Sequence, residues 1–103
     1  DIARRRPVIA NKMGGFSGQA IFPVALRMVY QVANAVKLPI IGMGGVMTAE
    51  DALEFIMAGA SAVAVGTANF HNPYATLEVI DGIENYMKKY NVNDIKELIG
   101  CVK

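Results

Sequence analysis

The stretch that decides the fold is Pro39-Ile40-Ile41-Gly42-Met43-Gly44-Gly45-Val46-Met47-Thr48-Ala49-Glu50-Asp51. It begins with a short apolar run without polar alternation, Ile40–Met43, which is typical of a strand that is covered on both faces. After the glycine pair, Thr48 is a good N-cap, and Asp51 completes a capping box with Asp in place of Glu or Gln. We therefore predict a buried strand, a tight glycine turn and a helix over Ala49–Ala58.

A second strand ends in the same way one strand–helix unit later. Ala62–Val65 is again continuously apolar, and Gly66-Thr67 closes it. Neighbouring parallel strands end at the same edge of a sheet, so we expect this turn to lie beside Gly44-Gly45. Main-chain N–H groups bind phosphate where side chains leave them free, and Thr67 adds a hydroxyl. The pair of turns predicts a phosphate site, although a single glycine pair could equally serve only a tight turn.

Helices and strands alternate along the rest of the chain. The other predicted elements are a possible short strand Pro7–Ala10, a glycine-rich loop Met13–Gln19, a helix Ala20–Val36, a helix opened by Asn72-Pro73 and a short helix Asp94–Ile99. The apolar stripe expected on the first long helix is Val24, Met28, Val32 and Ala35, and that expected on the later one is Leu77, Ile80, Ile83, Met87 and Tyr90. This alternation predicts a parallel α/β sheet with right-handed crossovers.

Two strands are too few to close a barrel or to cover their own apolar faces. In a (β/α)₈ barrel the phosphate site is frequently formed by the loops after strands 7 and 8. We therefore predict an α/β fold that is the C-terminal portion of a (β/α)₈ TIM barrel, about strands 7 and 8 with their flanking helices. Residues 1–103 would be one C-terminal fragment of one barrel domain, incomplete by itself. The absence of an initiator methionine at Asp1 agrees with this expectation.

Composition and charge restrict the class of protein. Of the 103 residues, 53% are hydrophobic and 18% charged, which is typical of a chain that forms a core. The formal net charge of +1 gives no case for nucleic acid as a partner. No apolar run reaches the ~20 residues that cross a bilayer, so no membrane partner is expected. One cysteine cannot form an internal disulfide, which favours a cytoplasmic protein.

No catalytic constellation is visible. His71 has no carboxylate patterned around it, and Cys101 lies in a polar tail, so we expect no role for either. Glu50 and Asp51 occupy the first turn of a helix, where the helix dipole favours acids, and a paired-acid mechanism is not expected. The glycines match neither a Walker loop nor the G-x-G-x-x-G pattern, and we expect no metal site.

Four runs closely resemble the C-terminal part of the catalytic subunit of dihydroorotate dehydrogenases, most of all the NAD-linked class 1B form. They are Gly14–Ile21, Pro23–Tyr30, Pro39–Gly45 and Ala58–Phe70. The resemblance implies a barrel that holds FMN at its C-terminal mouth. The FMN contacts of the family fall on Gly18, on Gly44 and Gly45, and on Gly66 and Thr67. The resemblance thus adds Gly18 to the glycine turns found above.

The resemblance also implies a reaction. Family members oxidise (S)-dihydroorotate to orotate in pyrimidine biosynthesis: a cysteine base takes a proton from C5 and a hydride passes from C6 to the flavin. The 1B form then sends electrons to an electron-transfer subunit that carries FAD and a [2Fe-2S] cluster, and on to NAD⁺. A homodimer partner is implied as well.

The same resemblance assigns no catalytic residue to this chain. The family's catalytic cysteine, flavin-contacting lysine and orotate-binding asparagines lie upstream of Asp1, and Cys101 does not replace them. Gln19 stands where the family usually has proline. We therefore expect the 103-residue chain alone to be inactive and to supply only the phosphate end of the FMN site.

Two other functions fit the glycine turns. A phosphate-binding barrel isomerase or synthase would hold a sugar phosphate with the same loops, and the absence of flavin absorbance in the complete protein would favour it. A non-catalytic truncated fragment would bind no ligand, and FMN would leave its thermal stability unchanged.

Overall fold

The computed structural model of the protein describes residues 1–102. Its helices are α1 (Phe22–Ala35), α2 (Ala49–Ala58), α3 (Ala68–His71) and α4 (Ala75–Tyr90), and its strands are β1 (Ile41–Met43) and β2 (Ala62–Ala64). Short 3₁₀ turns cover Gln19–Ile21 and Ile95–Leu98. The two strands pair in parallel, with Ile41 opposite Ala62 and Met43 opposite Ala64. The predicted parallel α/β arrangement is confirmed.

Helix α2 begins and ends at the predicted residues. The Asp51 N–H donates to Thr48 Oγ1 over 3.3 Å, and the Thr48 N–H donates to Asp51 Oδ2 over 3.0 Å, so the capping box is complete. At the other end Gly59 has a φ of +121°, and its N–H donates to the carbonyl of Ile56. Both ends of this helix follow from residues within one turn of them.

The core lies between the sheet and the helices that cover one of its faces. Phe55 of α2 is fully buried and meets the ring of Phe22 edge to face, with ring centroids 5.3 Å apart. It also presses on β1, since a Cβ placed on Gly42 would lie 2.7 Å from Phe55 Cδ1. The buried residues of this cluster are Ala25, Val29, Val46, Ala52, Phe55, Ala58, Ala60 and Val79.

The other face of the sheet is bare in the described chain. Ile41 and Met43 of β1 are each 60% exposed, whereas Gly42 between them is buried. The prediction that Ile40–Met43 is covered on both faces is therefore wrong for this chain, because all the helices lie on one side. The expected exposure of apolar surface is confirmed, and this open face adjoins the site described below.

The apolar stripe predicted on α1 is wrong. Val24 and Met28 are 51% and 59% exposed, and the side that packs on the sheet instead carries Ala25 and Val29. The reason is close approach: a Cβ on Gly44 would lie 2.9 Å from the Cβ of Ala25, a distance that only a small residue on the helix allows.

On helix α4 the predicted apolar stripe is wrong at Leu77, Ile80 and Tyr90 and right at Ile83, which packs against the core. Leu77 and Ile80 are more than half exposed, and Ala75 and Val79 are buried instead. This helix begins at Ala75, with Tyr74 as its N-cap residue, and not directly after Pro73. The short helix α3, which precedes Pro73, was not predicted.

Two minor predictions also fail. The segment Pro7–Ala10 forms turns and bends and no strand. The last element is a 3₁₀ turn, Ile95–Leu98, with Asp94 as its capping residue. Among residues 1–102, no helix combines the length and apolar character that crossing a membrane requires.

Candidate phosphate-binding cleft

One open cleft of about 460 Å³ lies where the two strands end, and every predicted site residue lines it. Gly44 and Gly45 follow β1, and Gly66 and Thr67 follow β2. Gly18 enters from the glycine-rich loop before α1. Three segments that are far apart in the sequence therefore meet at one edge of the sheet, as the parallel order of the strands predicts.

The three segments are in contact and do not merely face each other. A Cβ placed on Gly45 would lie 2.9 Å from the carbonyl oxygen of Gly18. A Cβ placed on Gly18 would lie 3.9 Å from Cγ2 of Thr67. Gly18 therefore sits between the two strand-end turns and closes the floor of the cleft between them.

The fold itself explains the glycine pair after β1. Gly44 and Gly45 have φ values of +120° and +78°, a region that residues with a Cβ rarely adopt. A Cβ on Gly45 would also lie 2.8 Å from the Cβ of Phe22. The reading that this pair serves a tight strand-to-helix turn is thus supported, independently of any ligand.

Gly66 has no such explanation within the described chain. Its φ is not positive, and a Cβ placed on it would meet no atom within 4 Å. A larger residue would fit the backbone and the neighbours, yet it would fill part of the cleft that Gly66 lines. Glycine at this position keeps space open at the cleft wall.

The polar groups offered to the cleft are donors on the main chain and hydroxyls. Among residues 1–102, no protein acceptor receives a hydrogen bond from the N–H of Gly66 or of Thr67. The hydroxyls of Ser17 and Thr67 belong to lining residues, and no Asp, Glu, Lys, Arg or His of the described chain does. An anion would therefore meet no repelling carboxylate here, and N–H and O–H groups would bind it.

The turn after β2 is held from outside the cleft. Nδ2 of Asn69 donates to the carbonyl of Val65 over 2.9 Å. The N–H of Asn69 donates to the carbonyl of Gly66 over 3.0 Å. Asn69 was not predicted as a site residue, and its position five residues after the end of β2 was its only signal.

Among residues 1–102, no Cys, His, Asp, Glu or Lys lines the cleft. His71 and Cys101 are exposed and lie outside it. Within the described residues there is no cluster of His, Cys, Asp or Glu that could hold a metal ion. The arrangement can bind and orient an anionic group, and it offers no residue for proton transfer.

A family model described as dihydroorotate dehydrogenase matches residues 1–87. The chain belongs to the dihydroorotate dehydrogenase family. It is 72% identical over 103 residues to the catalytic subunit of dihydroorotate dehydrogenase B (NAD(+)) of Lachnoclostridium phytofermentans, with all of this chain and 34% of that protein covered. The subunit of the same name from Alkaliphilus metalliredigens is 70% identical over 102 residues, covering 99% of this chain and 34% of that protein.

Solved structures agree with this membership. The DHODH of Eimeria tenella in complex with ferulenol superimposes with a TM-score of 0.80 at 28% identity, over 91% of this chain and 26% of that one. The ligand-free form from the same organism gives a TM-score of 0.80 at 30% identity, over 85% of this chain and 25% of that one. The chain spans about a third of the length of the curated dihydroorotate dehydrogenases it matches. The resemblance seen in the sequence is confirmed, and the fold is that of a fragment of a TIM-barrel enzyme.

Proposed function

We propose that this chain forms the phosphate end of the FMN site in a dihydroorotate dehydrogenase whose complete form oxidises (S)-dihydroorotate to orotate in pyrimidine biosynthesis. Residues 1–103 would belong to one FMN-binding barrel domain, with β1 and β2 as its strands 7 and 8. The proposed FMN contacts are Gly18, Gly44, Gly45, Gly66 and Thr67. The observation that carries the proposal is the unfilled space at Gly66, which no contact within the fold requires.

The residues of the cleft fit a phosphate group. A phosphate oxygen needs donors at short range and no side chain in the way, and the unpaired N–H groups of Gly66 and Thr67 meet that need. The hydroxyl of Thr67 adds a third donor beside them. When bound, FMN supplies the ring that accepts the hydride. The residues of this chain bind and orient that cofactor, and the proton would be taken by a residue outside the chain.

The relatives' names support further partners. Because they are called catalytic subunits and carry NAD(+) in the name, we propose a separate electron-transfer subunit between this protein and NAD⁺. That this subunit carries FAD and a [2Fe-2S] cluster is proposed on the sequence resemblance alone. A homodimer is proposed on the sequence resemblance alone. The single cysteine supports a reducing, cytoplasmic setting.

The family match favours this function over an isomerase or synthase that holds a sugar phosphate. The two classes share glycine turns after neighbouring strands, so the cleft by itself suits both. The relatives at 72% and 70% identity are named as dihydroorotate dehydrogenases, and the similarity extends over 100% and 99% of this chain.

The decisive experiment compares FMN with riboflavin, which lacks the phosphate, on the full-length protein after removal of its flavin. We expect Gly66→Ala to weaken FMN binding by roughly tenfold, because the added methyl group would hold a phosphate oxygen away from the Gly66 N–H, and one hydrogen bond to a charged group is worth about that much. Riboflavin binding should not change. Gly15→Ala is the matched control, because a Cβ at Gly15 also meets no atom within 4 Å and Gly15 does not line the cleft. An equal loss for both flavins, or no loss, would contradict a phosphate site at Gly66.

A further inference from the structure

In the turn after β2, the three carbonyl groups of Val65, Gly66 and Thr67 all accept hydrogen bonds from residues of α3. The side-chain amide of Asn69 donates to the carbonyl of Val65, and the main-chain N–H of Asn69 donates to that of Gly66. The N–H of Phe70 donates to the carbonyl of Thr67 over 3.0 Å. Asn69 thus supplies two of the three hydrogen bonds that orient this turn. None of the residues of α3 lines the cleft.

A planar trans peptide unit directs its C=O and its N–H to opposite sides. The bond from Asn69 Nδ2 therefore fixes the carbonyl of Val65 toward α3 and the N–H of Gly66 away from it. The bond from the Asn69 N–H does the same for the carbonyl of Gly66 and the N–H of Thr67. These two N–H groups are the ones that no protein acceptor occupies.

We infer that Asn69 is a positioning residue for the phosphate of the cofactor: its side-chain amide holds the Val65–Gly66 peptide so that the Gly66 N–H faces the cleft. This rests on the function proposed above. Asn69 touches neither the cleft nor the phosphate and acts only through the peptide it holds. Without the side-chain bond, no other hydrogen bond of the described chain holds the carbonyl of Val65. The Val65–Gly66 peptide can then rotate, because glycine tolerates a wide range of backbone angles.

The chain offers a close control for this bond. Nδ2 of Asn34 donates to the carbonyl of Tyr30 over 2.8 Å, the same side-chain bond to the residue four positions earlier. Asn34 lies near the end of α1, and neither it nor Tyr30 lines the cleft. Replacing either asparagine with alanine removes one bond of the same kind.

The test measures dissociation constants for FMN and riboflavin on the full-length, flavin-free protein. We expect Asn69→Ala to weaken FMN binding by roughly tenfold and to leave riboflavin binding unchanged. Asn34→Ala should change neither.

Two results would overturn the inference: an equal loss of FMN and riboflavin affinity, which indicates a purely structural role, or no loss at all. The Gly66→Ala experiment separates this failure from that of the proposed function. If Gly66→Ala lowers only FMN affinity and Asn69→Ala does not, the phosphate site stands and the role of Asn69 falls. If Gly66→Ala leaves the preference for FMN unchanged, the phosphate site itself falls.

Discussion

Gly82 of helix α4 lies directly against Ala49 of helix α2, so that a Cβ placed on Gly82 would overlap the Cβ of Ala49. The missing side chain lets the two helices pack almost backbone to backbone. A glycine in the middle of a helix costs about 1 kcal/mol relative to alanine, and close helix packing here offsets that cost. The first turn of α2, which follows the cleft loop Gly44–Met47, is held in place through this contact.

Gly82→Ala is expected to destabilise the full-length protein although alanine is the better helix former. The gain in propensity is about 1 kcal/mol, whereas overpacking typically costs about 1–3 kcal/mol. We expect a lower midpoint of thermal unfolding. The double variant Gly82→Ala/Ala49→Gly should recover part of the loss, because removing the Cβ of residue 49 makes room for the new Cβ at position 82. A midpoint that rises in the single variant would show that the helices move apart freely.

Thr48→Ala should cost about 1 kcal/mol of unfolding free energy, because it removes the hydroxyl that accepts from the Asp51 N–H at the start of α2. Thr76→Ala is the matched control, since Thr76 is an exposed residue inside α4 and caps nothing. Chemical unfolding of both variants provides the comparison. Equal stability of the two would mean that the capping box contributes nothing.

The two strand-end turns should respond differently to added methyl groups. Gly45→Ala forces an alanine to a φ of +78° and into Phe22, so we expect a loss of about 1–3 kcal/mol in the flavin-free protein. Gly66→Ala should leave the stability of the flavin-free protein unchanged, because its Cβ meets no atom. Thermal unfolding without flavin measures both. A comparable loss in Gly66→Ala would show that residues outside this chain already fill the space at Gly66.

Phe55→Ala should destabilise by about 3–5 kcal/mol, the usual cost of deleting a buried aromatic ring and leaving a cavity. The ring fills the space between Gly42 and Phe22, so its removal leaves a cavity there. Phe55→Leu keeps much of the apolar volume and should lose distinctly less. Urea unfolding of the two variants gives the ranking, and a leucine variant as unstable as the alanine one would argue against a cavity as the cause.

Local chemistry made several parts of the fold readable from the sequence. The ends of α2 were predicted to the residue because Thr48, Asp51 and Gly59 act within one turn of the helix ends they define. Strand ends were predicted to within one residue, since glycines interrupt the apolar runs. The convergence of Gly18 with the two turns followed from the family resemblance and from the parallel order of the strands.

The inward faces of α1 and α4 could not be read in this way. Both helices carry apolar residues on more than one side. Met28 and Leu77 are exposed, whereas Phe22 of α1 and Ile83 of α4 pack against the core. Small residues lie at the points where a neighbouring element comes close. Ala25 lies against Gly44, and on α4 Gly82 lies against Ala49. Hydrophobicity alone favours the side of the helix with the larger apolar residues. Which side faces inward is decided by the packing distance to residues that are distant in sequence.

By itself, the sequence determined the strand–glycine–helix units, the capping of α2 and the family to which the chain belongs. These depend on residue types at short spacing, whose physical effects reach only a turn or a strand end. Only the tertiary structure separated the glycines of the cleft into two kinds. Gly44 and Gly45 are required by a crowded turn, whereas within residues 1–102 no contact requires glycine at position 66. Crowding around a missing Cβ depends on which distant atoms surround it.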